Sequence, residues 1–146
     1  MTEATVQTKT PWHLWAVGVI SLLWNAYGGY DYVMTNTDNA EYLAAFTPEQ
    51  AAYFDSFPTW MIAVWAVGVW GAVAGSILLL LRSRFAFPVF AVSLAAFVIS
   101  LIYNVVLTGG LEIMGTMGMI MSGVIFVVCL ALTLYARAMA RKGVLR

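Results

Sequence analysis

The stretch "PTWMIAVWAVGVWGAVAGSILLLLRSRFAFPVFAVSLAAFVISLIYNVVL" (58–107) decides the fold. It holds two apolar runs, Pro58–Leu81 and Phe85–Leu107, parted by the short basic "LRSR" at 81–84. Each run meets the roughly 20 residues that a helix needs to cross the hydrocarbon core of a bilayer. So short a link makes the two helices antiparallel neighbours, with both arginines on one side of the membrane.

Two more runs of this kind flank the pair, at about Pro11–Tyr30 and Leu111–Ala136. The 146-residue chain is 62% hydrophobic and only 10% charged, whereas soluble domains carry about 25% charged residues. Too little polar surface exists to cover a water-soluble globule, so lipid must solvate much of the chain. The first run lacks a clear small-x-small cleavage site and has a single basic residue, Lys9, before it. It reads as an uncleaved span rather than a signal peptide.

Charge gives the orientation. The seven basic residues are Lys9, Arg82, Arg84, Arg137, Arg141, Lys142 and Arg146, and all fall on one side of a four-span topology. Six of the seven acids, Asp31, Asp38, Glu41, Glu49, Asp55 and Glu112, fall on the other. The positive-inside rule then puts both termini in the cytoplasm. The expected architecture is an all-α, antiparallel four-transmembrane-helix bundle, N-in and C-in. Residues 1–10 form a cytoplasmic tail, 11–136 the membrane domain, and 137–146 a basic cytoplasmic tail continuing the last span.

Local punctuation agrees. Thr10-Pro11 reads as an N-cap followed by proline at the first helical position. Thr108-Gly109-Gly110 reads as a tight outer turn. The long outer connection, 31–57, contains "DNAE" (38–41) and "TPEQ" (47–50), both of capping-box form. Two short helices follow, at roughly 39–46 and 48–55. Tyr42, Phe46, Tyr53, Phe54 and Phe57 give them apolar faces that favour a connector resting on the bundle or in the headgroups, with a lid as the alternative.

Small and weakly polar residues recur at helical spacing in every span. They are Gly18, Ser21, Asn25 and Gly28; Gly68, Gly71 and Gly75; Ser93, Ala96, Ser100 and Tyr103; and Gly115, Gly118, Ser122 and Cys129. Helices in lipid associate through close backbone approach and interhelical hydrogen bonds, which such residues permit. These rows are the expected packing seams of a left-handed bundle.

Asn25 lies about 20 Å along the helix from Trp12, inside the hydrocarbon, and its amide needs partners there. With Asp31, Ser100, Tyr103, Asn104 and Glu112 it forms a candidate polar pocket opening outward; interhelical bonding is the competing account. No charged residue falls in the middle third of any span, which disfavours a proton-driven mechanism. Met114, Met117 and Met121 share a face. Thioethers bind Cu(I), but they more often fill gaps between helices, and no metal or cofactor is expected. Trp24 and Trp70 lie deep enough to want indole acceptors. His13 is the one histidine and Cys129 the one cysteine, which leaves no haem pair, zinc pattern or disulfide.

The segments "PWHLWAVGVISLLWNAYGGYDYVMTNT" (11–37), "AAFTPEQ" (44–50), "FPTWMIAVWAVGVWGAVAGSILLLLRSR" (57–84) and the terminal "GVLR" carry a family likeness. The chain resembles a group of small four-span proteobacterial inner-membrane proteins, largely uncharacterised, some of them loosely labelled sugar transporters. That resemblance implies a bacterial cytoplasmic membrane and, through the label, transport.

No nucleophile–base pair or metal constellation is visible, so an enzyme is not expected. The expected function is a structural or accessory subunit of a membrane assembly, with a small transporter of a polar, sugar-like solute acting as an oligomer as the alternative. The expected partners are membrane lipids and either further copies of the chain or a larger membrane complex, with no nucleic acid.

Overall fold

The computed structural model describes residues 9–146, so the expected N-terminal tail lies outside the described residues except for its last two. Among the described residues the chain is all-α, with six helices and no strand. In order they are α1 (Trp12–Asn36), α2 (Ala40–Leu43), α3 (Pro48–Asp55), α4 (Thr59–Leu80), α5 (Ala86–Ile102) and α6 (Gly110–Arg141). A π-helical turn, Tyr103–Leu107, extends α5.

Three stretches are long and apolar enough to cross a membrane: Thr59–Leu80, Ala86–Leu107 and Glu112–Arg141. The fourth expected span falls on α1, which is 25 residues long. Its apolar run is diluted by Trp12, His13, Trp15, Trp24, Asn25 and Tyr27, and it is not among the three. It still lies along α4 in antiparallel register. Gly18 abuts Leu80, Asn25 bonds to Ala72 and Ser76, and Gly29 abuts Trp70.

The α4–α5 contact is built as the small-residue spacing predicts. A Cβ on Gly71 would lie 3.2 Å from that of Ser93, and one on Gly75 would lie 2.7 Å from the Phe90 ring. The Ser93 hydroxyl donates to the Gly68 carbonyl at 2.5 Å, an interhelical bond that close backbone approach makes possible. The α1 seam is rotated from expectation at its outer end. Gly29 meets Trp70, while a Cβ on Gly28 would meet nothing within 4 Å.

The α6 row departs further. Gly115 has φ 78° and ψ −169°, a break in the helix, and Gly118 is crowded only by Met114 of the same helix. Ser122 is half-buried. Gly118 borders a cavity, and no residue of another helix lies within 4 Å of a Cβ placed there or on Gly115.

At the other end the bundle is closed. Leu14, Leu79, Phe90, Leu132, Ala136 and Met139 form one buried cluster. His13 Nδ1 and the Tyr135 hydroxyl lie 2.5 Å apart and tie α1 to α6. The basic tail is not a simple helix extension. α6 ends in a Schellman motif, with Gly143 at φ 75°, Gly143 N–H donating to Ala140 O and Val144 N–H to Met139 O. The chain then turns under the bundle and buries Val144 and Leu145. Arg146 N–H donates to Arg82 O (2.8 Å), and Arg84 N–H donates to Arg146 O (3.0 Å). The C-terminus is thereby fastened to the α4–α5 turn.

Two caps fall one residue later than the sequence suggests. Pro11, not Thr10, precedes α1 and offers its carbonyl to Leu14 N–H. In "DNAE" the cap is Asn39, whose side chain accepts from Tyr42 N–H. Asp38 is unavailable because α1 runs on to Asn36 and closes with Asp38 at φ 53°. The Thr47–Gln50 capping box forms with both reciprocal bonds, at 3.1 and 3.2 Å.

Candidate functional site

Between the outer halves of α1, α4, α5 and α6 lies a cavity of about 570 Å³, within the range of small-molecule sites. α1 supplies Trp24, Asn25, Tyr27, Gly28 and Asp31, and α4 supplies Trp65, Gly68 and Ala72. α5 supplies Ser93, Ala96, Phe97 and Ser100, and α6 supplies Met114, Met117, Met121, Ile125 and Cys129. Tyr42, Ala45, Phe46, Gln50 and Phe54, from α2, α3 and their link, complete the wall. α2, α3 and their link thus pack on the bundle beside the cavity, a placement that fits both the connector and the lid.

Small residues border the volume. A Cβ on Gly28 would meet nothing within 4 Å, whereas one on Gly68 would already touch Ala96 of α5 at 3.7 Å; Ala72 and Ala96 also face the space, and methionines and aromatic rings form the remaining wall. The rings continue into the lid. Tyr42 meets Phe46 at 5.8 Å between centroids, Phe46 meets Phe54 at 5.5 Å, and Phe54 stacks on Trp65 at 6.1 Å. Edge and stacked contacts of this kind add to burial and hold the lid to α4.

A second fastening lies behind the cavity. The Tyr53 hydroxyl donates to Asn104 Oδ1 and lies 2.8 Å from Thr108 Oγ1. Asn104 Nδ2 donates to Ser100 O at 2.7 Å. Gly110 is required here, because a Cβ would overlap the Tyr53 oxygen. Burial raises the Tyr53 phenol's pKa, and the bond to Thr108 pulls it back.

The six residues expected to form a polar pocket thus separate. Asn25, Asp31 and Ser100 line the cavity. Tyr103 packs instead against Phe57 and Trp60, at 5.5 and 5.4 Å. Asn104 belongs to the Tyr53 fastening, and Glu112 is exposed in the first turn of α6. Trp24 borders the cavity, whereas Trp70 packs on Gly29 and Tyr32.

Most polar groups on the wall are already engaged. Asn25 Nδ2 donates to Ala72 O (3.2 Å) and Ser76 Oγ (2.9 Å), which is interhelical bonding. Gln50 Nε2 donates to Ile113 O, and its Oε1 accepts from Thr47 N–H. The Ser93 hydroxyl is held by Gly68 O. Asp31 differs. Its one hydrogen-bond donor is the neutral Tyr42 hydroxyl, and no basic side chain lines the cavity among the described residues. Burial raises its pKa above the usual carboxylate range, and the Tyr42 bond works in the opposite direction. The Tyr42 phenol is itself pushed up, first by burial and then by Asp31.

Tyr42, Phe46, Gln50, Phe54 and Trp65 were not singled out as a wall from sequence. The available signal was the aromatic face of the loop helices. Among the described residues no group of three or more His, Cys, Asp or Glu side chains gathers to hold a metal ion. No family model, curated protein or solved structure matches the chain.

Proposed function

We propose that the chain is a four-span protein of a bacterial cytoplasmic membrane, both termini inside, that binds a small molecule in its outer-half cavity. It would act as a carrier or as the ligand-binding subunit of a membrane assembly. Three candidate spans support the membrane setting. The register of α1 along α4 supports residues 12–30 as a fourth. The tail pairing brings Arg82, Arg84 and Arg146 to one end, while Asp31, Glu41 and Glu49 belong to the other, and this favours the inferred orientation. The resemblance to four-span proteobacterial proteins supplies the bacterial membrane.

The cavity carries the ligand-binding reading. A bundle serving only as scaffold gains dispersion contacts by closing on itself, and membrane helices depend on such contacts. Here four small wall residues, a capped lid and a broken α6 keep about 570 Å³ open. The wall is mainly apolar and its amides and hydroxyls are largely engaged, so a sugar would find few free partners. A largely apolar molecule with one polar end fits better.

The test is native mass spectrometry on protein extracted with its own lipids, beside Gly28→Phe. That ring would project into the open space at Gly28. Wild type should retain a small molecule that the variant loses while circular dichroism stays unchanged. Equal retention by both, or none by wild type, would overturn the assignment. Orientation is checked in a Cys129→Ala background: an impermeant maleimide added from outside should label Asp55→Cys and spare Arg84→Cys.

A further inference from the structure

The outer-half cavity has a polarity that narrows the class of ligand. Asp31, at its outer end, is the one carboxylate on the wall, and no Lys, Arg or His joins it there among the described residues. Trp24, Tyr27, Tyr42, Phe46, Phe54 and Trp65 surround the same space. Aromatic faces carry negative quadrupole potential, and cations within about 6 Å of a ring centroid are attracted to it, most strongly when desolvated. A carboxylate and several rings in a poorly hydrated cavity therefore sum to a field that favours positive charge and repels anions.

We infer that the cavity is selective for amphipathic monocations, an ammonium or phosphonium head near Asp31 with an apolar or aromatic body against Met114, Met117 and Met121. This rests on the ligand-binding reading above and adds the charge of the ligand to it. Three further observations agree. The Tyr42 hydroxyl is a neutral donor, so it stabilises the carboxylate without cancelling its charge. Asn25 Nδ2, Gln50 Nε2 and the Ser93 hydroxyl donate to protein carbonyls, so these donors are not available to hold an anion, and Asp31 is the one charged acceptor on the wall. The route in is lateral: Tyr27 on α1 and Met117 on α6 both border the cavity and are 61% and 71% exposed. A gap between these helices opens to the outer leaflet, where amphipathic cations concentrate at the interface.

The experiment measures protein-dependent binding of radiolabelled tetraphenylphosphonium to purified protein by scintillation proximity, and in a separate reaction that of radiolabelled tetraphenylborate, an ion of matching shape and opposite charge. Saturable phosphonium binding, displaced by unlabelled phosphonium, is expected, with no saturable borate binding. Affinity should fall at least tenfold in Asp31→Asn and persist in Glu112→Gln, which removes an exposed carboxylate outside the cavity. Equal binding of borate in its own reaction, or undiminished phosphonium affinity in a folded Asp31→Asn, would overturn the charge assignment and leave the ligand-binding reading in place. The charge assignment also falls alone if neither ion binds while the native protein still retains a small molecule. If neither ion binds and nothing is retained, both readings fall. The borate comparison needs no variant, so a misfolded Asp31→Asn does not blunt the test.

Discussion

Removing the Tyr53 hydroxyl should loosen the lid by an amount that follows from its bonds. Tyr53 is buried on α3, and its oxygen reaches Asn104 Oδ1 and Thr108 Oγ1, both from the end of α5. Each hydrogen bond contributes about 0.5–1.5 kcal/mol net, and an acceptor left unsatisfied in a buried place costs about 1–3 kcal/mol. Thr108 Oγ1 keeps its own bond to Tyr103 O, so the unsatisfied group in Tyr53→Phe is Asn104 Oδ1. The ring remains and keeps its edge contact with Phe57. About 2 kcal/mol is therefore the expected loss, and it falls on the docking of α3 rather than on the bundle.

Hydrogen exchange reads that quantity directly, because local opening sets the exchange rate of the α3 amides. At 1.4 kcal/mol per factor of ten, 2 kcal/mol speeds exchange at Ala52–Ser56 roughly 30-fold. Amides in the middle of α4 should be unaffected. Gly110→Ala should reproduce the effect from the opposite side, since its methyl group would displace the Tyr53 oxygen. If α3 exchanges at the wild-type rate in Tyr53→Phe, the fastening is incidental and the ring stack on Trp65 alone holds the lid. If the whole bundle exchanges faster, the lid is not a separable unit and the reasoning fails.

Other outcomes follow from the same geometry. Leu145→Ala should lower stability in detergent by about 2–3 kcal/mol, while Leu134→Ala, 52% exposed toward lipid, should change it by less than about 0.5 kcal/mol; equal effects would mean that the tail is not docked. Gly115→Ala should cost about 1–3 kcal/mol because φ 78° with ψ −169° is open to glycine alone, whereas Gly123→Ala, with free space around it, should be neutral or stabilising. Asp31 lies just beyond the span, and its folded pKa is raised, so the native state holds that proton more tightly than the unfolded chain. Its contribution to stability is complete below the unfolded value and is lost as pH rises through the folded one. Thermal shifts between about pH 4 and pH 8 should show this decline in wild type and not in Asp31→Asn.

The elements were legible because the forces behind them are local or periodic. Apolar runs between charges mark Thr59–Leu80 and Ala86–Leu107 within a residue or two of the sequence estimate, and Thr47–Gln50 caps α3 as its spacing predicts. What did not show was anything set by a neighbour. Arg82 at φ 57° and Asp38 at φ 53° close Schellman motifs without a glycine to announce them. The terminal "GVLR" reads as part of a basic tail continuing the last span, yet Gly143 turns it under the bundle. For the candidate site, Asn25, Asp31 and Ser100 share a cavity, but Tyr103, Asn104 and Glu112 were grouped with them by depth alone. Depth along a helix says nothing about which way a side chain faces.

The small residues show why a seam and a cavity look alike in sequence. Gly71 and Gly75 receive Ser93 and Phe90 because α5 is close, while Gly28 receives nothing because α6 has moved away. The same residue type therefore supplies contact in one place and volume in another, and the position of the facing helix decides which. That position is asymmetric along the bundle. The inner end is sealed three times, by the buried cluster around Leu14 and Leu132, by the His13–Tyr135 bond and by the docked tail. The irregular backbone, the π turn at Tyr103–Leu107 and the break at Gly115, belongs to the outer half, where it borders the lid and the cavity. The ligand binding proposed above would therefore use the end that holds the cavity and not the sealed one.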